Sequence, residues 1–272
     1  MKFSSVLSAP PAEYAQFRAD HPDERGWETF RRNHATAYTV LADALDSHQR
    51  GLCAFCEIRL ETPARTADRQ IEHWRPKSLD RVTPAANFTF SLDNFHMSCT
   101  GGTKKPFPAA EPYRTGNPPP GTSLSCGQFK DDDDPEAEAC RPYRPSELPL
   151  SPAMFTVDSE GFLSPRSDSA DFGLDVDRLW ATITFLNLNC TRLKLGRAAI
   201  YGELDKALLD YVDASSKPTH DGRWDEALEL LAREFEVQER GALPVFLTTR
   251  RAFVGREFDA VMVPNPNWLV SG

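Results

Sequence analysis

Residues 51–57 read GLCAFCE and residues 71–78 read IEHWRPKS, and the fold turns on how these two stretches are tied together. Cys53 and Cys56 form a CxxC knuckle, a spacing at which one tight turn aims two thiolates at a single metal ion. The same spacing suits a redox pair or two buried thiols. A closed structural zinc site needs four ligands, and the next cysteines along the chain are Cys99 and Cys126. The expected set is therefore Cys53, Cys56, Cys99 and Cys126, with Cys140 the alternative to Cys126 as fourth ligand. Cys190 lies in the apolar run LNLNCTRL and reads as a buried thiol. In IEHW, Glu72 and His73 are adjacent, so a regular strand sends them to opposite faces; a strand end or a bulge is needed to turn both toward one cavity. The chemistry that wants such a pair is phosphodiester hydrolysis: an imidazole takes a proton from water while a carboxylate holds a divalent cation. A solvated glutamate beside an orienting histidine is the plain alternative.

Working outward, the chain has 272 residues, with 31 Lys+Arg against 40 Asp+Glu and a net charge of -9. The molecule as a whole therefore exerts no long-range attraction on nucleic acid. The charge is uneven, however. Residues 51–130 carry 10 basic and 7 acidic side chains (+3), whereas residues 131–180 carry 4 and 13 (-9), so the stretch holding most of the cysteines is where a nucleic-acid site belongs. A composition of 40% hydrophobic and 26% charged residues excludes a chain disordered throughout. No window approaches the ~18 apolar residues of a membrane span. The opening MKFSSVLSAPP makes a poor export signal, so a cytoplasmic location is expected and the six cysteines read as ligands or thiols rather than a disulfide framework.

The spacing of Trp27, Phe30, Tyr38, Leu41 and Leu45 predicts an amphipathic helix over Trp27 to Gln49, interrupted by His34, with a shorter one over Ala12 to Ala19. Residues 52–100 lose this period, and RQIEHW (69–74) and NFTFSL (87–92) read as short strands. Between Thr100 and Ser125, 6 of 26 residues are Pro and 4 are Gly, which rules out a regular element. Asp131–Asp134 and the following PEAEA read as a solvated acidic linker. After Asp177, four periodic runs beginning LWATITF, LKLGRAA, WDEALEL and PVFLTTR predict a helical C-terminal region. The fold class expected is α+β, divided into a helical segment (1–50), a zinc-stapled core (51–145) and a helical domain (146–272).

GLCAFCE, IEHWRPKS, LDNFHMSC and SCGQFK together resemble the HNH endonucleases of the ββα-metal class, in which two strands and a helix wrap one catalytic metal. More narrowly they are similar to the Septu- and retron-associated HNH nucleases of bacterial anti-phage defence. Trp27, Phe30, Gln49, Gly51 and Leu52 ahead of the knuckle, the DSEGFLSP turn, and the TITFLNLN helix with Arg197 extend the likeness over most of the chain. The resemblance implies His73 as general base and Glu72 as ligand of a catalytic Mg²⁺ or Mn²⁺. It also implies Asn94 as the residue that shapes the loop orienting the base and approaches the metal, and Lys77 and Lys130 as phosphate donors. Taken alone, Asn94 after Asp93 is an ordinary turn residue and the lysines are ordinary solvated charges.

Two departures stand out. The second cysteine pair is split, with Gly102 where a close partner of Cys99 belongs, and Gly127 replaces a histidine that follows the last knuckle cysteine in many relatives. His96, Gln128, Asp131 or water is left to fill the metal's third position. The expected function is a metal-dependent DNA endonuclease partnered, by resemblance, with an ABC- or SMC-like ATPase. A zinc-ribbon-like adaptor without catalysis, or an RNA-cleaving version of the same site, are the alternatives.

Overall fold

A computed structural model describes residues 1, 4–60, 69–103, 124–214 and 243–255. The first helices are α1 (Ala12–Asp20), α2 (Trp27–Asn33) and α3 (Ala35–His48), so the predicted single helix from Trp27 is two. His34 divides them: its backbone (φ -124°, ψ 49°) ends α2 and begins α3, and its ring packs 4.7 Å from Phe17.

The site is carried by a hairpin of β1 (Arg69–His73) and β2 (Phe95–Cys99), antiparallel, with Glu72 opposite His96 and His73 opposite Phe95. RQIEHW is thus a strand as expected, but NFTFSL is not. Asn87 sits in the left-handed region (φ 50°), and the N–H groups of Phe88 and Thr89 both donate to the Asp80 carboxylate, which leaves no ladder to form. The second strand, FHMSC, is buried at all five positions. It lacks the alternation that marks a half-exposed strand.

The hairpin is covered on both faces. On one, Trp27 meets His73 and Phe95, and Tyr14 meets Phe95, so α1 and α2 close over the side carrying Ile71 and His73. On the other, the four-residue helix α4 (Gly127–Lys130) approaches Gln70 and Glu72, while Phe55 and Phe185 pack near Trp74. The architecture is α+β, with small sheets and a buried four-cysteine cluster.

The acidic run is only partly a solvated linker. Asp131, Asp132 and Asp133 are exposed, but Asp134 makes paired hydrogen bonds of 3.0 and 2.7 Å to Arg75, whose guanidinium lies over Phe88. Beyond it, β3 (Phe155–Val157) and β4 (Leu163–Pro165) form a hairpin around the DSEGFLSP turn. Gly161 at its tip (φ +76°) lies so close to the helix Thr191–Ala214 that a Cβ would sit 2.0 Å from the Lys194 carbonyl oxygen. Arg197 donates to the Gly161 and Leu188 carbonyls and the Asn189 side chain, so its role here is to hold this turn.

The C-terminal region supplies α5 (Val176–Phe185), α6 (Thr191–Ala214) and α7 (Leu247–Val254). Asp175 caps α5 through hydrogen bonds from the Asp177 and Arg178 N–H groups. The periodic run at 224–238 lies outside the described residues. Among the described residues no helix is long and apolar enough to cross a membrane.

Gln49, just past α3, joins helix to hairpin. Its amide donates to the Leu52 and Met97 carbonyls (3.0 and 2.8 Å) and accepts from the Met97 N–H at 2.7 Å. Gln49→Leu would leave the Leu52 carbonyl and the Met97 N–H unpaired, with the Met97 carbonyl kept by the Ala54 N–H, and a loss of about 2 kcal/mol is expected. Urea unfolding would read it as a lower midpoint at unchanged slope.

Candidate metal and catalytic site

The knuckle turns back on itself through hydrogen bonds from the Glu57 N–H to the Cys53 carbonyl (3.1 Å) and from the Cys53 N–H to the Ile58 carbonyl (3.0 Å). Glu57, at φ 64°, is buried, and its carboxylate accepts from Thr248 N and Oγ1 at 2.7 and 2.6 Å, docking α7 onto the knuckle. The Ala54 N–H reaches the Met97 carbonyl at 3.1 Å, which brings the turn alongside β2. Cys99 at the end of β2 and Cys126 ahead of α4 complete the group.

The four sulfurs lie within 4.8 Å of one another and all four residues are buried. Cys53–Cys126, Cys56–Cys99 and Cys99–Cys126 are 3.9, 3.7 and 3.8 Å apart. A tetrahedron with Zn–S bonds of 2.3 Å has edges of about 3.8 Å, so the cage has the dimensions of a four-thiolate zinc site. Cys140 and Cys190 are not in this group.

Without a metal, burial opposes ionisation, yet hydrogen bonds from Cys126, Cys56 and Cys99 hold the Cys53 thiol well below its usual range. Burial pushes Cys56 and Cys126 up. Arg192, which the sequence reading passed over, lies buried behind the cage and donates to Ser125 Oγ at 2.8 Å. Burial alone would lower its pKa, but the charge of Cys99, Cys56, Cys190 and Cys126 raises it, so a guanidinium stands by to offset thiolate charge.

His73 is 3% exposed. Trp27 meets its ring edge to face at 4.5 Å, and its Nε2 lies 3.0 Å from the Thr89 carbonyl oxygen. A carbonyl only accepts, so Nε2 carries the proton and Nδ1 keeps its lone pair. Burial first, then the charge of Lys77, lowers the pKa to about 3, so the ring is neutral at pH 7.

The carbonyl that orients His73 is itself held by two side chains. Asp80 binds the Phe88 and Thr89 N–H groups at 2.6 and 2.9 Å, while Asn94 Nδ2 donates to the Phe88 carbonyl at 2.7 Å. Asn94 also exchanges bonds with the Arg75 backbone, accepting from its N–H at 2.7 Å and donating to its carbonyl at 2.9 Å. The amide thus staples the chain after β1 to the turn before β2, and taking the metal ligation expected of it would cost these bonds. Asp80 went unread because an aspartate in a turn carries no sign of the distant amides it will hold.

Glu72 turns the other way, toward α4. Its Oε1 is 3.5 Å from Lys130 Nζ, and Lys130 is 1% exposed. Lys130 also donates to the Asp131 carbonyl at 3.0 Å. Expected to meet phosphate, it stands instead as the buried counter-ion of Glu72. Burial raises the Glu72 carboxyl, against the pull of Lys130 and Lys77. Gly127 has a steric reason: a Cβ there would lie 2.1 Å from Glu72 Oε2. The carboxylate fills the space a side chain at 127 would take.

Of the substitutes for that side chain, His96 stands across the ladder from Glu72. It is buried beside Phe55 and Trp74, and its Nε2 has no hydrogen-bond partner among the described residues. Burial lowers its pKa to about 3. Gln128 faces Gln70, and Asp131 is exposed. Lys77 is exposed just past β1 and acts electrostatically on both Glu72 and His73.

Comparison with known proteins finds similarity to a Vibrio cholerae serotype O1 biovar El Tor protein named "Retron Vc95 putative HNH endonuclease". The two are 26% identical over 162 residues, covering 58% of this chain and 62% of the relative. No protein-family model and no solved structure matches the chain.

Elemental analysis of purified protein should find one zinc per chain, lost in Cys126→Ser and kept in Cys140→Ser. The buried histidines also set an acid limb. Unfolded histidine titrates near 6.5. Between that value and about 3 the unfolded chain binds a proton that folded His96 refuses, so its stabilising contribution is complete above about pH 6.5 and is lost as pH falls toward 3. Relative to wild type, His96→Phe should flatten stability against pH in this window by about 1.4 kcal/mol per unit.

Proposed function

We propose that the protein is a metal-dependent HNH-type endonuclease that hydrolyses phosphodiester bonds in DNA. The observation that carries this reading is a neutral imidazole on His73, its Nε2–H given to the Thr89 carbonyl and its Nδ1 left as a base, next to Glu72 on a strand whose partner strand ends in a cysteine of the cage. The named relative supports the nuclease class. We read β1, β2 and α4 as the ββα-metal unit, with Glu72 between strand and helix.

In this reading the cysteine cage, holding zinc, is structural, and a separate Mg²⁺ or Mn²⁺ takes part in catalysis. Glu72 would hold that cation, with the unpartnered Nε2 of His96 the candidate second protein donor and water completing the shell. When bound, such a cation stabilises negative charge on the phosphoryl and leaving oxygens. Glu72 and His73 face opposite sides of β1, so in this reading one phosphate is reached from both sides at the strand end, where His73 is the last residue. His73 takes the proton of the attacking water at Nδ1. An imidazole of pKa about 3 is a weak base; burial is the first cause of that low value and the Lys77 charge the second, and a phosphodiester anion drawn to Lys77 offsets the second and raises the pKa. Asp80 and Asn94 keep the Thr89 carbonyl, and hence the ring, in place.

The resemblance noted in the sequence, beside a relative named for a retron, supports a role in anti-phage defence; an ABC- or SMC-like ATPase partner that licenses cleavage rests on the resemblance alone. A rival reading is a zinc-bearing binding module, favoured by Gly127 and by the buried ion pair that engages Glu72.

With Mg²⁺ or Mn²⁺, plasmid nicking should fall by about 10²–10⁴-fold in His73→Ala, at unchanged zinc content. Undiminished nicking would remove His73 from the mechanism. Failure of wild type to nick DNA under any metal or partner condition would favour the binding module, and cleavage confined to RNA would move the substrate.

A further inference from the structure

A cleft of about 690 Å³ opens between the start of α2 and the turn that follows β1. Trp27 and Thr89, both in contact with His73, are part of its lining, so it runs up to the base. Arg25 stands on the α2 wall, and Lys77 and Arg81 on the other. All three are exposed, and none forms an ion pair among the described residues. Arg25 makes one hydrogen bond, to Asn87 Oδ1 at 3.2 Å.

The carboxylates of the same cleft are differently placed. Glu28 lies 3.8 Å from Arg31, and both oxygens of Asp80 accept backbone N–H groups. Asp132, reaching in from the acidic run, has no ion-pair partner among the described residues. Three unpaired cations on two walls thus face one unpaired carboxylate. A single small anion would not span both walls, whereas a chain of phosphates matches cations spaced along a groove.

We propose that this cleft binds the phosphodiester backbone of the nucleic-acid strand presented to His73, with Arg25 and Arg81 as phosphate contacts and Asp132 as a resident negative charge that weakens binding. The proposal rests on the nuclease reading. It makes the N-terminal helical segment part of the substrate site, and it gives one residue of the acidic run a direct restraining effect.

The test uses the full chain carrying His73→Ala, so that binding is read without cleavage, and a fluorescent 20-base-pair duplex titrated from 50 to 200 mM salt. Adding Arg25→Ala with Arg81→Ala should weaken binding and reduce the slope of log K against log salt by about 2, since each lost phosphate contact removes about 0.9. Adding Asp132→Asn instead should tighten binding. These side chains are exposed, and a thermal melt of each variant confirms that the fold is kept. If the arginine pair leaves affinity and slope at the parent's values, or Asp132→Asn weakens binding, the cleft is not the substrate track. A parent that binds no nucleic acid, single- or double-stranded, overturns the nuclease reading itself and the proposal with it.

Discussion

Four sulfur atoms from three separate places in the chain meet in one buried cage, and the relation of hairpin to helix follows from that meeting. Cys53 and Cys56 come from a turn held against β2, Cys99 ends that strand, and Cys126 precedes α4. Cys99 and Cys126 are 27 residues apart. Closing a loop of that length costs about 3 kcal/mol by the logarithmic rule, before its constant term. Binding of zinc by such a set releases on the order of 10 kcal/mol. A long Pro/Gly-rich connection is therefore compatible with a fixed α4, and α4 is what brings Gly127 and Lys130 to Glu72.

Around the cage, position is set by buried side chains that bond to backbone groups. Gln49 ties α3 to Met97, Asn94 ties the end of β1 to the turn before β2, and Asp80 gathers the amides of Phe88 and Thr89. Each replaces strand pairing where the chain is irregular, and in a low-dielectric interior none of these partners can be left unpaired cheaply. The orientation of His73 is the product of this arrangement. Its tautomer depends on a carbonyl whose place is set by Asp80 and Asn94, on either side of it in the chain.

Much of this was legible from the residues. The CxxC knuckle and the next two cysteines identified the cage, the RQIEHW run identified β1, and the pause at His34 marked where the first long helical pattern divides. The second strand was not legible, because burial on both faces erases alternation in FHMSC, while NFTFSL shows a strand-like pattern although its amides are taken by Asp80. Lys130 had the look of a phosphate donor, and Arg192 no look of a cage partner; both assignments depend on what lies across space.

The sequence by itself determined the supply of chemistry: which donors exist, their order, and the local spacing that lets Cys53 and Cys56 act together. Only the tertiary structure decided among equivalent donors. Cys126 rather than Cys140 joins the cage because the path of the chain after β2 brings that sulfur to 3.8 Å from Cys99. Glu72 and His73 go to opposite sides because the ladder register runs unbroken to the end of β1. Spacing along a chain constrains atoms within a turn or a strand, whereas selection between distant ligands, counter-ions and carbonyls is settled by packing.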